Sequence, residues 1–195
     1  FRRVLFRSDF EDPSSSSSKY VAQQGQFIGL DVDPARAGFK YRVRRTLNTF
    51  SIFSSRFDPR RTFRVLAAPL NDPAQVKEMV EYREVFKQLD LLAVAPFISV
   101  DVTNAGQART VAAMEPSAVL DALEFTSLPA LMSQVRAVHQ IASERGLGLV
   151  AYAGGQELRV REGLPSAGRI NSIFDRVSRN PREAALYSGL LDGWV

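Results

Sequence analysis

Few side chains in this sequence suit covalent or metal chemistry. Cysteine is absent, which excludes disulfides, thiol catalysis and cysteine-ligated metals. The single histidine, His139, lies in a helical pattern with Val135, Val138 and Ile141. A Ser-His-Asp triad needs its histidine beside a nucleophile, and the usual catalytic zinc sites draw on several histidines. His139 therefore reads as a packed or surface helix residue, and the sequence implies neither a metal nor a cofactor. The pair Gly154-Gly155 suits either close backbone approach to a ligand or a plain turn, and the spacing of a phosphate-binding loop does not follow it. Arg36, Arg42, Arg44, Arg45, Arg56, Arg60, Arg61 and Arg64 lie near Phe39, Tyr41 and Phe50, a mixture that single-strand nucleic-acid binding uses. Those aromatics fall on the apolar stripe of a helix, where burial is expected, and no recognisable nucleic-acid module accompanies the charge. The arginines read as a solvated face, some of them paired with carboxylates, and against a nucleic-acid partner.

The elements that would position these residues alternate in type. Phe39, Val43, Leu47, Phe50 and Phe53 recur at helical spacing, and a short apolar run follows at Thr62 to Leu70. Asp72-Pro73 starts a helix, with a capping carboxylate and proline at the first helical position. That helix presents Val76, Met79, Val80, Phe86 and Leu89. A second apolar run, Leu91 to Val100, is rich enough for a parallel strand buried on both faces. A loop through Asn104 and Gly106 precedes a long helical region from Pro116, with its stripe at Leu120, Leu123, Leu131, Val135 and Ile141 and a break near Pro129. Gly146 occupies a C-cap position before a third strand, Leu147 to Tyr152. Helical segments at Ile170 to Val177 and Pro181 to Trp194, the latter behind an Asn180 cap, close the chain.

This order predicts an α/β fold with about three parallel strands and flanking helices. At 195 residues the chain falls short of the roughly 250 of a complete barrel. An open three-stranded sheet exposes two edges, so missing strands on both sides, an incomplete (β/α)8-type barrel over residues 20–195, explain it best. Residues 1–19 stand apart as an artefactual or disordered segment. Phe1 to Ser8 reads as an adapter-derived translation, the alternative being a basic arm for a membrane or nucleic acid, and Ser14 to Ser18 form a flexible low-complexity tract. The net charge of +4 affects solubility and encounter rates rather than fold. No apolar run approaches the ~20 residues needed to span a bilayer, which gives no membrane partner.

Four phrases together resemble a family of bacterial glycoside-hydrolase-like barrels. They are Tyr41-Arg42 with Phe53, Arg64-Val65-Leu66-Ala67, Leu92-Ala93-Val94-Ala95-Pro96-Phe97, and Leu149-Val150-Ala151-Tyr152-Ala153-Gly154-Gly155-Gln156. Asn180-Pro181-Arg182 and the tail Leu190-Leu191-Asp192-Gly193-Trp194 continue the likeness, which spans most of Tyr20 to Val195. The resemblance implies the fourth through seventh helices of a barrel, a carbohydrate partner, and a parent protein that is extracellular or periplasmic. In that family a Tyr-Glu-Gly-Gly-Gln phrase ends the seventh strand, and its glutamate looks like the nucleophile of a retaining glycosidase. Here that position is Ala153. The phrase with the acid/base glutamate would precede Tyr20, where only Asp9 and Glu11 offer carboxylates. Retaining hydrolysis needs two carboxyl groups about 5–5.5 Å apart, so no catalytic residue carries over. Glu157 shares the strand parity of Ala153 but would lie about 13 Å further along an extended chain.

Binding apparatus is expected at the carboxyl ends of the strands. Asn71, Asp101 and Gln156, with Glu157 beside them, are placed to hydrogen-bond sugar hydroxyls, and Phe97 or Tyr152 to pack on a pyranose face. Each also reads as a loop cap or rim-packing residue. The expectation is a glycoside-hydrolase-like fragment that acts on or binds carbohydrate and is inactive as it stands. The alternatives are a non-catalytic carbohydrate-binding barrel and, behind it, an arginine-rich nucleic-acid or acidic-surface binder.

Overall fold

The computed structural model describes residues 16–58, 60, 62–100 and 102–194. The readings placed on Phe1 to Ser8, Asp9, Glu11, Arg61 and Asp101 lie outside the described residues. The helices are α1 (Ser16–Phe27), α2 (Pro34–Ser54), α3 (Pro73–Glu81), α4 (Ala105–Ala112), α5 (Pro116–Ala122), α6 (Leu128–Ser143), α7 (Ala167–Ser178) and α8 (Arg182–Asp192). The strands are β1 (Val65–Ala67), β2 (Leu91–Val94), β3 (Phe97–Ser99), β4 (Gly148–Ala151) and β5 (Gly155–Glu157). They form two small parallel sheets, one ordered β1-β2-β4 and the other β3-β5, so the chain is mixed α/β with parallel pairing. The described residues form no closed barrel. The backbone contacts divide the chain into two compact units, Phe1–Ala95 with Ala137–Ala153, and Pro96–Arg136 with Gly154–Val195.

In the first unit β2 is the central strand, and Leu92, Ala93 and Val94 are buried. Asp90, just before it, accepts hydrogen bonds from the Arg64 backbone N–H (2.7 Å) and guanidinium (2.8 Å), which ties the start of β1 to the start of β2. Arg64 holds the Asp90 carboxyl below its ordinary range. The Asp72 cap forms as its sequence predicts, its carboxylate accepting from the Gln75 N–H at 2.9 Å. The helix it starts is shorter than its stripe implies. Arg83 and Glu84 adopt left-handed backbone angles, and the re-phased segment Tyr82–Gln88 buries Val85 and leaves Phe86 only half-buried.

Helix α1 (Ser16–Phe27) includes part of the serine tract and packs against α2. Gly25 makes that packing possible, because a Cβ there would overlap the Ala37 carbonyl. Asp33 caps α2 by accepting from the Arg36 N–H at 2.8 Å, and Asp31 pairs with Lys40 at 2.5 Å. The α2 stripe is buried only in its first half. Phe39 and Val43 are inside, Leu47 and Phe50 half-buried, and Phe53 is 51% exposed. At ~1.5 Å per residue, α2 runs on well past the reach of the shorter α1.

The second unit holds β3, β5, α4, α5, α7 and α8. The apolar run Leu91 to Val100 is therefore two strands in two sheets, interrupted at Ala95-Pro96. Proline has no N–H to give a ladder, and the Pro96 carbonyl instead accepts from the Gly155 N–H at 3.0 Å. The expected loop at Asn104 is helix α4, started by a capping box in which Asn104 accepts from Gln107 and the Gln107 side chain accepts from the Asn104 N–H. Pro129 does not break the long helical region. A π-turn at Leu123–Ser127 joins α5 to α6, and Leu128 donates back to the Leu123 carbonyl. Along α6, Val138 and Ala142 are fully buried while Ile141 is half-buried.

Leu92 is 0% exposed at the centre of the larger sheet, so Leu92→Ala is expected to lower the unfolding free energy by about 2–5 kcal/mol. Urea titration followed by circular dichroism measures this, and a loss under ~1 kcal/mol would remove β2 from the centre of the core.

Candidate functional site

On α2, Tyr41, Arg42, Arg45 and Thr46 share one face by their spacing of three and four. Helix α1 brings Tyr20 and Val21 opposite them, and the turn after β1 supplies Ala68 and Pro69. Leu66 and Ala67 of β1, Met79 of α3 and Tyr152, the residue after β4, complete the lining. These groups enclose a cavity of about 320 Å3 at the carboxyl ends of β1 and β4, at the small end of the range for ligand sites. Three tyrosines, two arginines and a threonine furnish its polar groups, and no carboxylate lines it among the described residues. The Arg42 guanidinium donates to Ser18 Oγ at 3.1 Å, and burial pulls its pKa below the ordinary arginine value. Arg45 is exposed and has no carboxylate partner among the described residues.

The arginine set of the sequence divides accordingly. Arg36 pairs with Glu78 and Asp31, and Arg64 with Asp90, as a solvated face should. Arg42 and Arg45 line the cavity instead, together with the half-buried Tyr41. The signal for this was present as a second stripe on α2, offset from the apolar one. Tyr20 and Val21 gave no such signal, since α1 holds few large apolar residues and the sequence pattern predicts no helix there.

Of the sugar-contact candidates, Tyr152 lines this cavity, and Ala153 follows it half-buried. Asn71 is exposed between β1 and α3 and outside the lining. Phe97, Gln156 and Glu157 belong to the second unit. Phe97 borders another cavity there, of about 380 Å3, with Ser99, Ser127 and Leu131. Asp101 lies outside the described residues.

Gln156 is held by its neighbours. Its Nε2 donates to Glu183 Oε1 at 2.6 Å, its Oε1 accepts from Ser178 Oγ at 3.2 Å, and its backbone N–H donates to the Tyr187 hydroxyl at 3.1 Å. Gly155 has φ +108°, and a Cβ would meet the Tyr187 ring at 2.8 Å, so the close approach this glycine permits is to the chain itself. Glu157 lies 3.6 Å from Arg159. No three acidic or histidine side chains among the described residues group to hold a metal ion, and no helix among them is long and apolar enough to cross a membrane.

No known family, curated protein or solved structure matches this chain.

Glu183 is only 8% exposed, and burial raises its pKa above the ordinary glutamate value while the Gln156 bond opposes the shift. A raised folded-state pKa means the native state holds the proton more tightly than the unfolded chain. The protonated form's contribution to stability is thus complete below the unfolded pKa and is lost as pH rises through the folded one. Melting temperatures from pH 4 to 8 should show this fall, and Glu183→Gln should flatten it. An identical pH profile in the variant would show that Glu183 is solvated.

Proposed function

We propose that this chain is part of a glycoside-hydrolase-like β/α protein that binds carbohydrate without cleaving it, in the pocket at the carboxyl ends of β1 and β4. One observation carries the reading. At the strand ends where β/α proteins keep their functional groups, three tyrosines, two arginines and a threonine line one cavity, and Ala153 follows Tyr152. A tyrosine ring offers a flat apolar face with a polar rim, which suits the alternating CH and OH surfaces of a sugar. Thr46 and the guanidinium groups supply hydrogen-bond donors for hydroxyls. Among the described residues the lining holds no carboxyl pair of the kind retaining hydrolysis uses, which favours gripping a glycan over cleaving it.

The parallel order β1-β2-β4, with helices between successive strands, is also what an incomplete barrel would contribute. It supports the same reading of the chain as one segment of a larger β/α assembly.

Calorimetric titration of the full chain against a polysaccharide panel should give saturable binding with no release of reducing ends. Tyr152→Ala should weaken that binding about fivefold, the ~1 kcal/mol of one aromatic contact. Product release, or binding untouched by the substitution, would overturn the proposal.

A further inference from the structure

The stretch that leaves α2 and enters β1 alternates cation and ring. From Arg56 to Arg64 it holds four arginines and one aspartate, with Phe57 and Phe63 set between the arginines. Phe39 is buried and Tyr41 and Phe50 half-buried, as the α2 stripe implies, but the aromatics at and beyond the helix end are not. Phe57 is 55% and Phe63 74% exposed, beside the half-exposed Phe53. Phe50, Phe53, Phe63, Arg60 and Arg64 are among the described residues that line one open groove of about 1000 Å3, at the upper end of the range for ligand sites. The groove lies at the amino ends of β1 and β2, the opposite end of the sheet from the tyrosine-lined cavity. Apolar rings gathered at one exposed place mark a surface that meets something else.

We propose that this groove binds single-stranded nucleic acid, with bases stacked on Phe53 and Phe63 and backbone phosphates held by Arg60 and its neighbours. Ring and cation alternate here as base and phosphate alternate along a strand, and only an unpaired strand offers its base faces. The Phe53 and Phe57 rings already stack, 5.5 Å apart and 26° from parallel, so a base laid on an outer face lengthens an existing column. Arg64 is tied to Asp90 through Nε at 3.1 Å and Nη2 at 2.8 Å, which fixes the wall at the strand entrances. The last carbonyls of α2 carry partial negative charge that would oppose a phosphate, and they are engaged. Ser51 accepts from the Ser55 N–H, Ile52 from the Ser55 hydroxyl, and Phe53 from the Arg56 and Phe57 N–H groups. The reading of the arginines as a plain solvated face therefore holds for Arg36, paired with Glu78, and gives way at the far end of the helix.

The test titrates the full chain into a fluorescein-labelled oligothymidylate of about twelve nucleotides, a length within the site sizes of such grooves, and follows anisotropy. Binding should saturate, and its affinity should fall steeply between about 50 and 200 mM salt. Phe63→Ala, at an exposed position that leaves the core untouched, should weaken binding about fivefold or more with melting temperature unchanged, as the loss of one stacked base. Arg60→Gln should reduce the slope of log affinity against log salt by about 0.7, the share of one phosphate. Heparin, a polyanion without bases, and a duplex of the same length should compete more weakly than the unlabelled single strand. No binding at about 50 mM salt, or an affinity that Phe63→Ala leaves unchanged, would overturn the proposal. Heparin or duplex competing as well as the single strand would also overturn it, in favour of an anionic surface recognised by charge alone.

Discussion

Pro96 lacks an N–H, and much of the architecture follows from that single missing donor. A strand carried through Ala95-Pro96 would leave a gap in the parallel ladder, so the apolar stretch from Leu91 to Val100 is spent on two sheets rather than one. On the later strand the same place is occupied by Tyr152, Ala153 and Gly154. Three steps separate Val94 from Phe97, while four separate their partners Ala151 and Gly155. The later strand thus carries one residue more than the earlier one between the two ladders. Two of the three boundaries between the compact units fall at these positions, after Ala95 and after Ala153.

Within the first unit the candidate pocket depends on the contact of α1 with α2. Gly25 against Ala37 allows the two backbones to come close enough for Tyr20 to face Tyr41 and for Ser18 to reach Arg42. The sheet contributes the floor, through Leu66 and Ala67, and the helices contribute the polar wall. In the second unit Gln156, Ser178, Glu183 and Tyr187 bond to one another, with Glu183 buried and Ser178 and Tyr187 at the surface. The two units differ in the polar groups they offer to a cavity: tyrosines and arginines in the first, and Ser99, Thr126, Ser127 and Gln134 in the second.

The parts of the fold that were legible in the sequence are those set by local chemistry. Asp72-Pro73 and Asn180 begin helices, and the third strand forms over Gly148–Ala151. Parallel pairing followed from the alternation of strand and helix. What escaped was set by longer-range packing or by a competing local signal. The hydrophobicity of Leu91 to Val100 outweighed the proline within it, and Gly106 masked the Asn104–Gln107 capping box of α4. The periodicity that put Phe86 inside had no means of anticipating left-handed angles at Arg83 and Glu84. At the site, Tyr152 was legible from its strand-end position and Arg42 and Arg45 only as charge, because a helix stripe shows which residues share a face but not what that face meets.

The π-turn at Leu123–Ser127 has a consequence for how this region tolerates change in length. Leu123, Leu131 and Val135 are buried although they follow one another at multiples of four, a spacing that drifts about 40° per step on an ideal α-helix. The wider turn absorbs that drift and keeps one continuous stripe facing inward on both sides of it. It behaves as an accommodated insertion, so shortening the helix by one residue here would restore regular hydrogen bonding locally. The same deletion would rotate α5 relative to α6 and turn Val119 and Leu120 away from α7, so the irregular turn, rather than a regular one, is what keeps both stripes buried.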